Sequence, residues 1–473
     1  MSTHTSHPSP LTLTPSPLSP APLSVVILAA GAGTRMKSKT PKVLHKICGK
    51  PMLFYSIDEA LCLSDDVKIV LFFEASLVQS EVEKAYPAAI KEGRLSFHLQ
   101  DHAAYPGTGG ALMQGGTGAE SKLPLVCKHE ELLILNGDMP LVQAQSLSLL
   151  AKSPSPLTLS ILHLDNPSGY GRVVLEHNRV LKIIEQKDAT PKELEIKSVN
   201  AGVYKIHKSL LEAYLPHLSN ANAQGEFYLT DVIALAQSEG VEIGALSVSE
   251  QEFMGVNCKS HLSQAQEVML TRLREAAMEQ GVIMHLPHTI YIEQGVKFSG
   301  ECIIEQGVQI IGECEITNAH IKAHSVVEQS RIISSDIGPL AHIRPKSLIQ
   351  NTHIGNFVET KSAKLNGVKA GHLSYLGDCE VGSGSNIGAG VITCNYDGRK
   401  KHKTIIGQNV FVGSDVQLIA PLQIASNVLI GAGSTISKDI QEGALALSRT
   451  PQKNIADGFS KFFPSESSPD SEK

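Results

Sequence analysis

The residues best suited to chemistry in the N-terminal half follow short apolar runs. Ser24-Val25-Val26-Ile27-Leu28-Ala29-Ala30 leads directly into Gly31-Ala32-Gly33-Thr34-Arg35-Met36. Glycines placed after a strand let backbone N–H groups come close to phosphates, and a following helix N-terminus favours the anion. The pattern lacks the third glycine of a dinucleotide fingerprint and the Gly-Lys-Ser/Thr ending of a P-loop. It has instead two fixed cations, Arg35 within the turn and Lys42 after Pro41. That combination suits a triphosphate. Gly107-Thr108-Gly109 fits a second close backbone approach, to a nucleotide base. Asp138, in Leu135-Asn136-Gly137-Asp138-Met139-Pro140, sits where an open α/β sheet binds ligands, at a strand's carboxyl end. A carboxylate there can hold a metal ion beside a triphosphate, the plain alternative being a cap or turn former.

A second set lies in the C-terminal third, where Arg344, Lys361, and His372 with Tyr375 interrupt a repeat. Residues 394–403 form a polar excursion carrying Arg399, Lys400, Lys401 and Lys403. An imidazole has an ordinary pKa of about 6.5 and can take a proton near neutral pH. Among 19 histidines, however, His372 taken alone is more readily an ordinary structural residue.

The elements that must hold these side chains differ between the two halves. In the C-terminal third an apolar residue returns at every sixth position, first at Ile292, Phe298, Ile304, Ile310 and Ile316, and again at Ile406, Val412, Leu418, Ile424, Ile430 and Ile436. A helix repeats every 3.6 residues and a strand face every 2, so a sustained period of six fits neither. It predicts a solenoid whose sides each turn one apolar residue inward. An ordinary β-sandwich would need this spacing by coincidence in two separate blocks. Solenoids carry function where single repeats depart from the pattern, which directs attention to Arg344, Lys361, His372 and the excursion.

Ahead of the solenoid, residues 67–73 and 132–135 read as parallel strands and residues 58–62 as part of a helix, an α/β pattern. Residues 169–172 and 185–188 suggest a hairpin-like excursion, and Val199 to Gly202 the end of a further strand. Leu262, Ala265, Met269, Leu273 and Ala276 keep helical spacing, which predicts an amphipathic linking helix. The expected organisation is a disordered Ser/Pro/Thr-rich extension over 1–23, an α/β domain over 24–258, a linker helix over 259–281, the β-solenoid over 282–458 and a flexible tail over 459–473.

Composition narrows the class of protein. The 473 residues carry a net charge of −6 and no basic tract, so nothing points to nucleic acid. Eight cysteines are scattered without a Cys-x-x-Cys pair, which argues for reduced thiols in a cytoplasmic protein and against a zinc site. No apolar run is long enough to span a membrane.

Leu28-Ala29-Ala30-Gly31-x-Gly33-Thr34-Arg35-Met36, followed by Pro41-Lys42-Val43-Leu44, resembles the signature of sugar-1-phosphate nucleotidyltransferases, whose fold is Rossmann-like. The period of six resembles the hexapeptide repeat of left-handed parallel β-helices, commonly trimeric acyltransferases. The handedness rests on that resemblance, since parallel crossovers are usually right-handed. From Ser24 to about Gly458 the chain resembles the bacterial bifunctional enzymes that make UDP-N-acetylglucosamine, a precursor of peptidoglycan and lipid A. The resemblance implies N-acetylation of glucosamine 1-phosphate from acetyl-CoA, then uridylyl transfer from UTP with release of pyrophosphate.

Carried onto this sequence, the resemblance implies cationic catalysis by Arg35 and Lys42, with Mg²⁺ on Asp138 and Asn257. Leu28, Ala29, Ala30, Gly31, Gln100, Gly107 and Thr108 would hold the nucleotide beside Asn136 and Gly137. Gly171, Glu185 and Asn200 would hold the sugar. In the solenoid, His372 would be the general base and Arg344 and Lys361 would grip the sugar phosphate. Tyr375, Asn386 and Asn395 would position the sugar. Ala389, Ser414, Ala432 and Arg449 would contact acetyl-CoA, with Asn395 and Tyr396 near the reacting centre. A homotrimer with acetyl-CoA sites between subunits is implied as well. Residues 101–106 depart from the family by forming a longer loop after Gln100, and the N-terminal extension lies outside its pattern. Two alternatives share the architecture: a single-function nucleotidyltransferase with a regulatory β-helix, disfavoured by His372, Tyr375, Lys361 and Arg344, and a non-enzymatic scaffold, disfavoured by Arg35, Lys42, Asp138 and Asn257.

Overall fold

The computed structural model describes residues 22–115, 122–176, 179–187, 189–222 and 224–463. Most of the expected N-terminal extension, Asp188 and residues 464–473 of the expected tail lie outside the described residues. Contacts divide the chain into two compact units, one running to Gln280 and including Ile292–Gly295, the other Gly281–Tyr291 and the chain from Val296 onward.

The first unit is built on a nine-stranded mixed sheet. Its first strand along the chain, Leu23–Leu28, lies third from one edge and pairs in parallel with Asp66–Leu71 on one side and Glu131–Asn136 on the other. Alternate residues of a strand face opposite ways. Val25, Ile27, Leu133 and Leu135 therefore enter one core with Leu53 and Ile57 of the helix Met52–Leu63. Val26, Leu132 and Ile134 enter the other, with Val232, Ile233 and Ala236 of the helix Asp231–Ser238. Burial on both faces explains why these strands read as unbroken apolar runs. The chain leaves this strand toward one neighbour and later returns on its other side, so the sheet switches direction at Leu28 and Asn136. A crevice opens at such a point.

The hairpin-like excursion is an antiparallel pair, Arg172–Glu176 with Arg179–Ile184. Val199 to Gly202 does not end a strand. The strand runs from Ser198 to His207, and its register against Leu157–His163 shifts between Asn200 and Tyr204. Gly202, at φ 80°, supports this bulge, which imitates a strand end in the sequence. The helix Lys259–Glu279 buries Ala265, Met269, Leu270 and Ala277, together with Arg274, whose guanidinium pairs with Glu267 at 3.0 Å. Among the described residues no helix is long and apolar enough to cross a membrane.

The second unit is a left-handed parallel β-helix of three sheets with ten, nine and eight strands. Up to the last coil each strand pairs with the third strand along the chain, as Ile303–Ile304 does with His320–Ile321, and the final pairing joins Leu429–Ile430 to Leu445–Ala446. The inward column does not stop where the period of six stops. It continues through Ile321, Val327, Ile332, Ile337, Ile343, Ile349, Ile354, Thr360, Leu365, Ala370, Leu376, Val381, Ile387 and Thr393, all buried. Several steps in this stretch are five residues long. In those sides the second residue after the inward one takes a left-handed conformation, as at Asn318 (φ 48°), Ser334 (φ 48°), Asn351 (φ 47°) and Asp378 (φ 46°). Asn, Ser and Asp tolerate that conformation and tighten the corner. Two inward positions carry threonine. The Thr393 hydroxyl accepts from the Gly377 N–H (2.7 Å) and donates to its carbonyl (3.0 Å), so its burial leaves nothing unpaired.

Candidate functional site

In the first unit, Gly33 adopts a left-handed conformation at φ 61°. A Cβ added there would lie 2.5 Å from the Lys42 Cβ, so only glycine lets the turn close against that lysine. The Lys42 ammonium then reaches the carboxylate of Asp138 and, at 3.2 Å, the Asn257 Oδ1. Arg35 Nη2 donates to the same oxygen at 2.8 Å. Asn257 is delivered by the Val256 N–H, which donates to the Asp138 carbonyl at 2.9 Å. Four residues spread across the α/β unit thus meet at one point. Among the described residues no cluster of three or more His, Cys, Asp or Glu could hold a metal. The Asp138 carboxylate and the Asn257 carbonyl are hard oxygen donors, however, and both converge on one cation, the Lys42 ammonium. That donor set fits Mg²⁺, which takes one or two protein oxygens and completes its shell with water and phosphate.

Beside this cluster lies a cavity of about 430 Å³, lined by Leu28, Ala29, Ala30, Gly31, Lys42, Gln100, Gly107, Thr108, Asn136 and Asp138. A second cavity, of about 450 Å³, shares Leu28, Thr108 and Asn136 with it and extends to Glu185 and Asn200. The two form one crevice at the carboxyl ends of the paired strands Leu23–Leu28 and Glu131–Asn136. Gly137 donates its N–H to the Leu28 carbonyl at 2.9 Å, and the Gly171 carbonyl accepts from the Asn200 N–H at 3.0 Å. Gly107, at φ 92°, would bring a Cβ to 2.7 Å from the Phe227 carbonyl. Gln100 is buried, and its amide nitrogen donates to the carbonyls of Tyr105 (2.8 Å) and Gly107 (3.1 Å). Sequence reasoning missed Phe72, His102 and Glu226, which also line the first cavity. An aromatic directly after an apolar strand is the signal that could have found Phe72.

In the second unit the register does the positioning. Ile343 pairs with Thr360, so Arg344 and Lys361 stack one above the other, and Lys361 pairs with Gly377. A Cβ on Gly377 would lie 2.5 Å from the Tyr375 hydroxyl and 2.6 Å from the Asn395 amide nitrogen. The absent side chain therefore makes room for both. Asn395 donates to Asp378 Oδ2 at 2.6 Å and to the Tyr375 hydroxyl at 3.4 Å. His372 is exposed at the corner before Tyr375. Continuing the pairings Ala370–Ile387, Val412–Ile387 and Val412–Ile430 by two residues stacks His372, Ala389, Ser414 and Ala432 on successive coils. Asn386 sits within that sheet, paired with Lys369 and Phe411. Arg449 closes the column, its Nη1 donating to the Ala432 carbonyl at 2.9 Å. Tyr396 is exposed at the base of the excursion and bridges to Lys401.

Two family models match this chain: the MobA-like NTP transferase domain over residues 25–199 and the bacterial transferase hexapeptide of six repeats over residues 403–438. The bifunctional protein GlmU of Helicobacter hepaticus is 68% identical over 442 residues, which cover 93% of this chain and 97% of that protein. Those of Wolinella succinogenes and Helicobacter pylori are 57% and 56% identical, covering 94% and 93% of this chain and 99% of each relative. The chain belongs to the bifunctional GlmU family.

In this member of the GlmU family the electrostatics of the second unit pick out Lys401 from the four basic residues of the excursion. Lys361 has its pKa lowered, first by a contact with Lys401, then by the charges of Lys401 and Arg344. Arg344 is held above its usual value chiefly by its hydrogen bond to Glu359, at 2.7 Å. Lys401 also faces Asp378 Oδ2 at 3.9 Å. Lys361 thus has two other cations, Lys401 and Arg344, close enough to act on it, and like charges so placed favour an anion between them. The excursion presents Lys401 because Asp397 folds it into a turn. That carboxylate accepts from the N–H groups of Lys400 and Arg399 and from His402, which hold it well below the usual range.

Proposed function

We propose that the chain carries out two successive transfers, acetylation of glucosamine 1-phosphate in the β-helix and uridylylation of the product in the α/β unit. The observation that supports this most directly is that each unit gathers its own convergent cations: Arg35 and Lys42 beside Asp138 and Asn257 in one, Arg344, Lys361 and Lys401 beside Tyr375 and Asn395 in the other. Two phosphate-binding sites of different construction suit two reactions on sugar phosphates.

In the β-helix, Arg344, Lys361 and Lys401 hold the sugar phosphate, while Tyr375, Asn386 and Asn395 orient the sugar. His372 takes a proton from the amine as its nitrogen attacks the thioester carbonyl. A C–N bond forms, the C–S bond breaks and coenzyme A leaves as the thiol. Ala389, Ser414, Ala432 and Arg449 offer acetyl-CoA a column of small side chains with a cation near its end, and Tyr396 lies beside the reacting centre. In the α/β unit, Leu28 to Gly31, Gln100, Gly107 and Thr108 hold UTP, with Asn136 and Gly137 forming the floor. Gly171, Glu185 and Asn200 orient the acetylated sugar. Its phosphate oxygen attacks the α-phosphorus, and the bond to the leaving pyrophosphate breaks. Arg35 and Lys42 neutralise the charge that otherwise keeps two phosphates apart. Mg²⁺ on Asp138 and Asn257 would supply further neutralisation of the triphosphate. A homotrimer formed through the β-helix, acting in the cytoplasm, completes the reading.

Pyrophosphate release from UTP and Mg²⁺ tests this, with glucosamine 1-phosphate supplied with and without acetyl-CoA. Release that needs acetyl-CoA, or else N-acetylglucosamine 1-phosphate in place of both, is expected. Release from the acetylated sugar alone, and never from the amine plus acetyl-CoA, refutes the acetyltransferase half.

A further inference from the structure

The Phe72 and His102 rings stack with centroids 4.4 Å apart and planes 10° apart, and both line the first cavity together with Lys42 and Asp138. Phe72 is 44% exposed although it directly follows a buried strand. It stands between two backbone clamps, the Gln100 N–H on the Leu71 carbonyl (2.9 Å) and the Phe73 N–H on the Ala30 carbonyl (3.4 Å). His102 comes from the loop over residues 101–106. The Tyr105 N–H donates to the Asp101 carbonyl (2.7 Å), and the Gln100 amide nitrogen bonds the carbonyls of Tyr105 and Gly107. A large apolar ring left open to a cavity by otherwise rigid surroundings is informative about what the cavity binds. One cavity thus offers both a cation, Lys42, and a pair of aromatic rings, the two kinds of contact that a nucleotide's phosphates and base call for.

We propose that Phe72 and His102 form a stacked wall against which the pyrimidine ring of the nucleotide packs, and that Gln100, besides facing the nucleotide, holds the loop that carries His102 through its bonds to Tyr105 and Gly107. This rests on the uridylyltransferase reading. Flat rings pack well on aromatic faces irrespective of their hydrogen-bonding edges, so the wall supplies affinity for the base and leaves phosphate chemistry to Lys42 and Asp138.

The test is steady-state kinetics of Phe72→Ala, His102→Ala and His102→Phe in the full-length protein, with KM for UTP in the forward direction and KM for pyrophosphate in reverse. Wild-type turnover of UTP is measured first, and its absence would sink the underlying reading before any variant is made. Both alanine variants are expected to raise KM for UTP about tenfold, as loss of one base–aromatic stack does, with kcat changed less than about twofold. KM for pyrophosphate should stay at the wild-type value, and His102→Phe should restore KM for UTP. Acetyl transfer by the same preparations reports that the chain is folded. The proposal is overturned if both alanine variants keep KM for UTP within about twofold of wild type, a change far smaller than one stack contributes. It is equally overturned if KM for pyrophosphate rises in parallel, since the rings would then only be pinning the loop.

Discussion

Substituting Gly377 by alanine should silence one activity and spare the other. The backbone at Gly377 is not in the left-handed region, so alanine brings no conformational strain of that kind. Its Cβ would nevertheless arrive 2.5 Å from the Tyr375 hydroxyl and 2.6 Å from the Asn395 amide nitrogen, where ordinary contact begins near 3.4 Å. The two side chains must therefore give way by about 0.9 Å. A misplacement of about 1 Å in a substrate-positioning group costs about 10²-fold in rate, or about 2.7 kcal/mol of barrier. Gly377→Ala should thus lower kcat/KM for acetyl transfer about 10²-fold. The assay follows coenzyme A release from acetyl-CoA with glucosamine 1-phosphate, alongside pyrophosphate release from UTP with N-acetylglucosamine 1-phosphate, which should be unaffected. Acetyl transfer within about threefold of wild type would mean that Tyr375 and Asn395 need not be held where the structure holds them, contrary to the positioning argument.

Removing the imidazole in His372→Ala should reduce acetyl transfer by about 10²–10⁴ while uridylyl transfer persists; equal loss of both activities would contradict separate sites. Lys42→Met should lower uridylyl transfer by about 10²–10³ and leave acetyl transfer intact, read from the same two assays. Asp336 is partly buried, which opposes ionisation, but hydrogen bonds from Lys322 and His353 outweigh this and hold its pKa below the usual carboxylate value. A lowered folded-state pKa gives stability that is present above the unfolded-state value of about 4 and disappears as pH falls through the folded-state value. Asp336→Asn should therefore lower the urea midpoint near neutral pH by an amount worth less than about 1 kcal/mol, given solvent screening. The gap to wild type should close in acid, and a gap that widens there would reverse the assigned sign.

The two halves were legible in the sequence to different depths. The inward positions at Ile304, Ile310, Ile316 and from Ile406 to Ile436 could be read directly, because one apolar residue per side is the only periodic signal a narrow coil needs. The apparent phase breaks concealed continuous packing. A side shortened to five residues keeps its neighbour buried as long as a residue such as Asn318 or Asn351 turns left-handed, and a period count cannot register that compensation. Strand-to-loop chemistry around Gly33, Lys42 and Asp138 was legible because close backbone approach and a strand end both leave traces in residue type. The basic excursion was legible as well, but Lys401 could not be told from Arg399, Lys400 and Lys403, since its place beside Lys361 depends on how the excursion folds. The bulge at Asn200 to Gly202 misled for a related reason: glycine after an asparagine reads as a terminus, and only pairing with Leu159 beyond it shows that the strand goes on.

The ladder in which each strand pairs with its counterpart on the next coil has a bearing on how the β-helix assembles and comes apart. Partners such as Ile303 and His320 lie close in sequence, so each added coil closes only a short loop before its bonds and inward residue are in place. Order can spread from one coil to the next in the manner of a zipper, and opening is easiest at a terminal rung. Leu445–Ala446 is such a rung, bonded to Leu429–Ile430 and followed by no further strand among the described residues. Ala432 and Arg449, two of the residues assigned to acetyl-CoA, stand at this same edge. If the coenzyme binds there as proposed, fraying of the last coil and its departure are linked equilibria, and saturating coenzyme should slow amide exchange most at this rung, among residues 429–449.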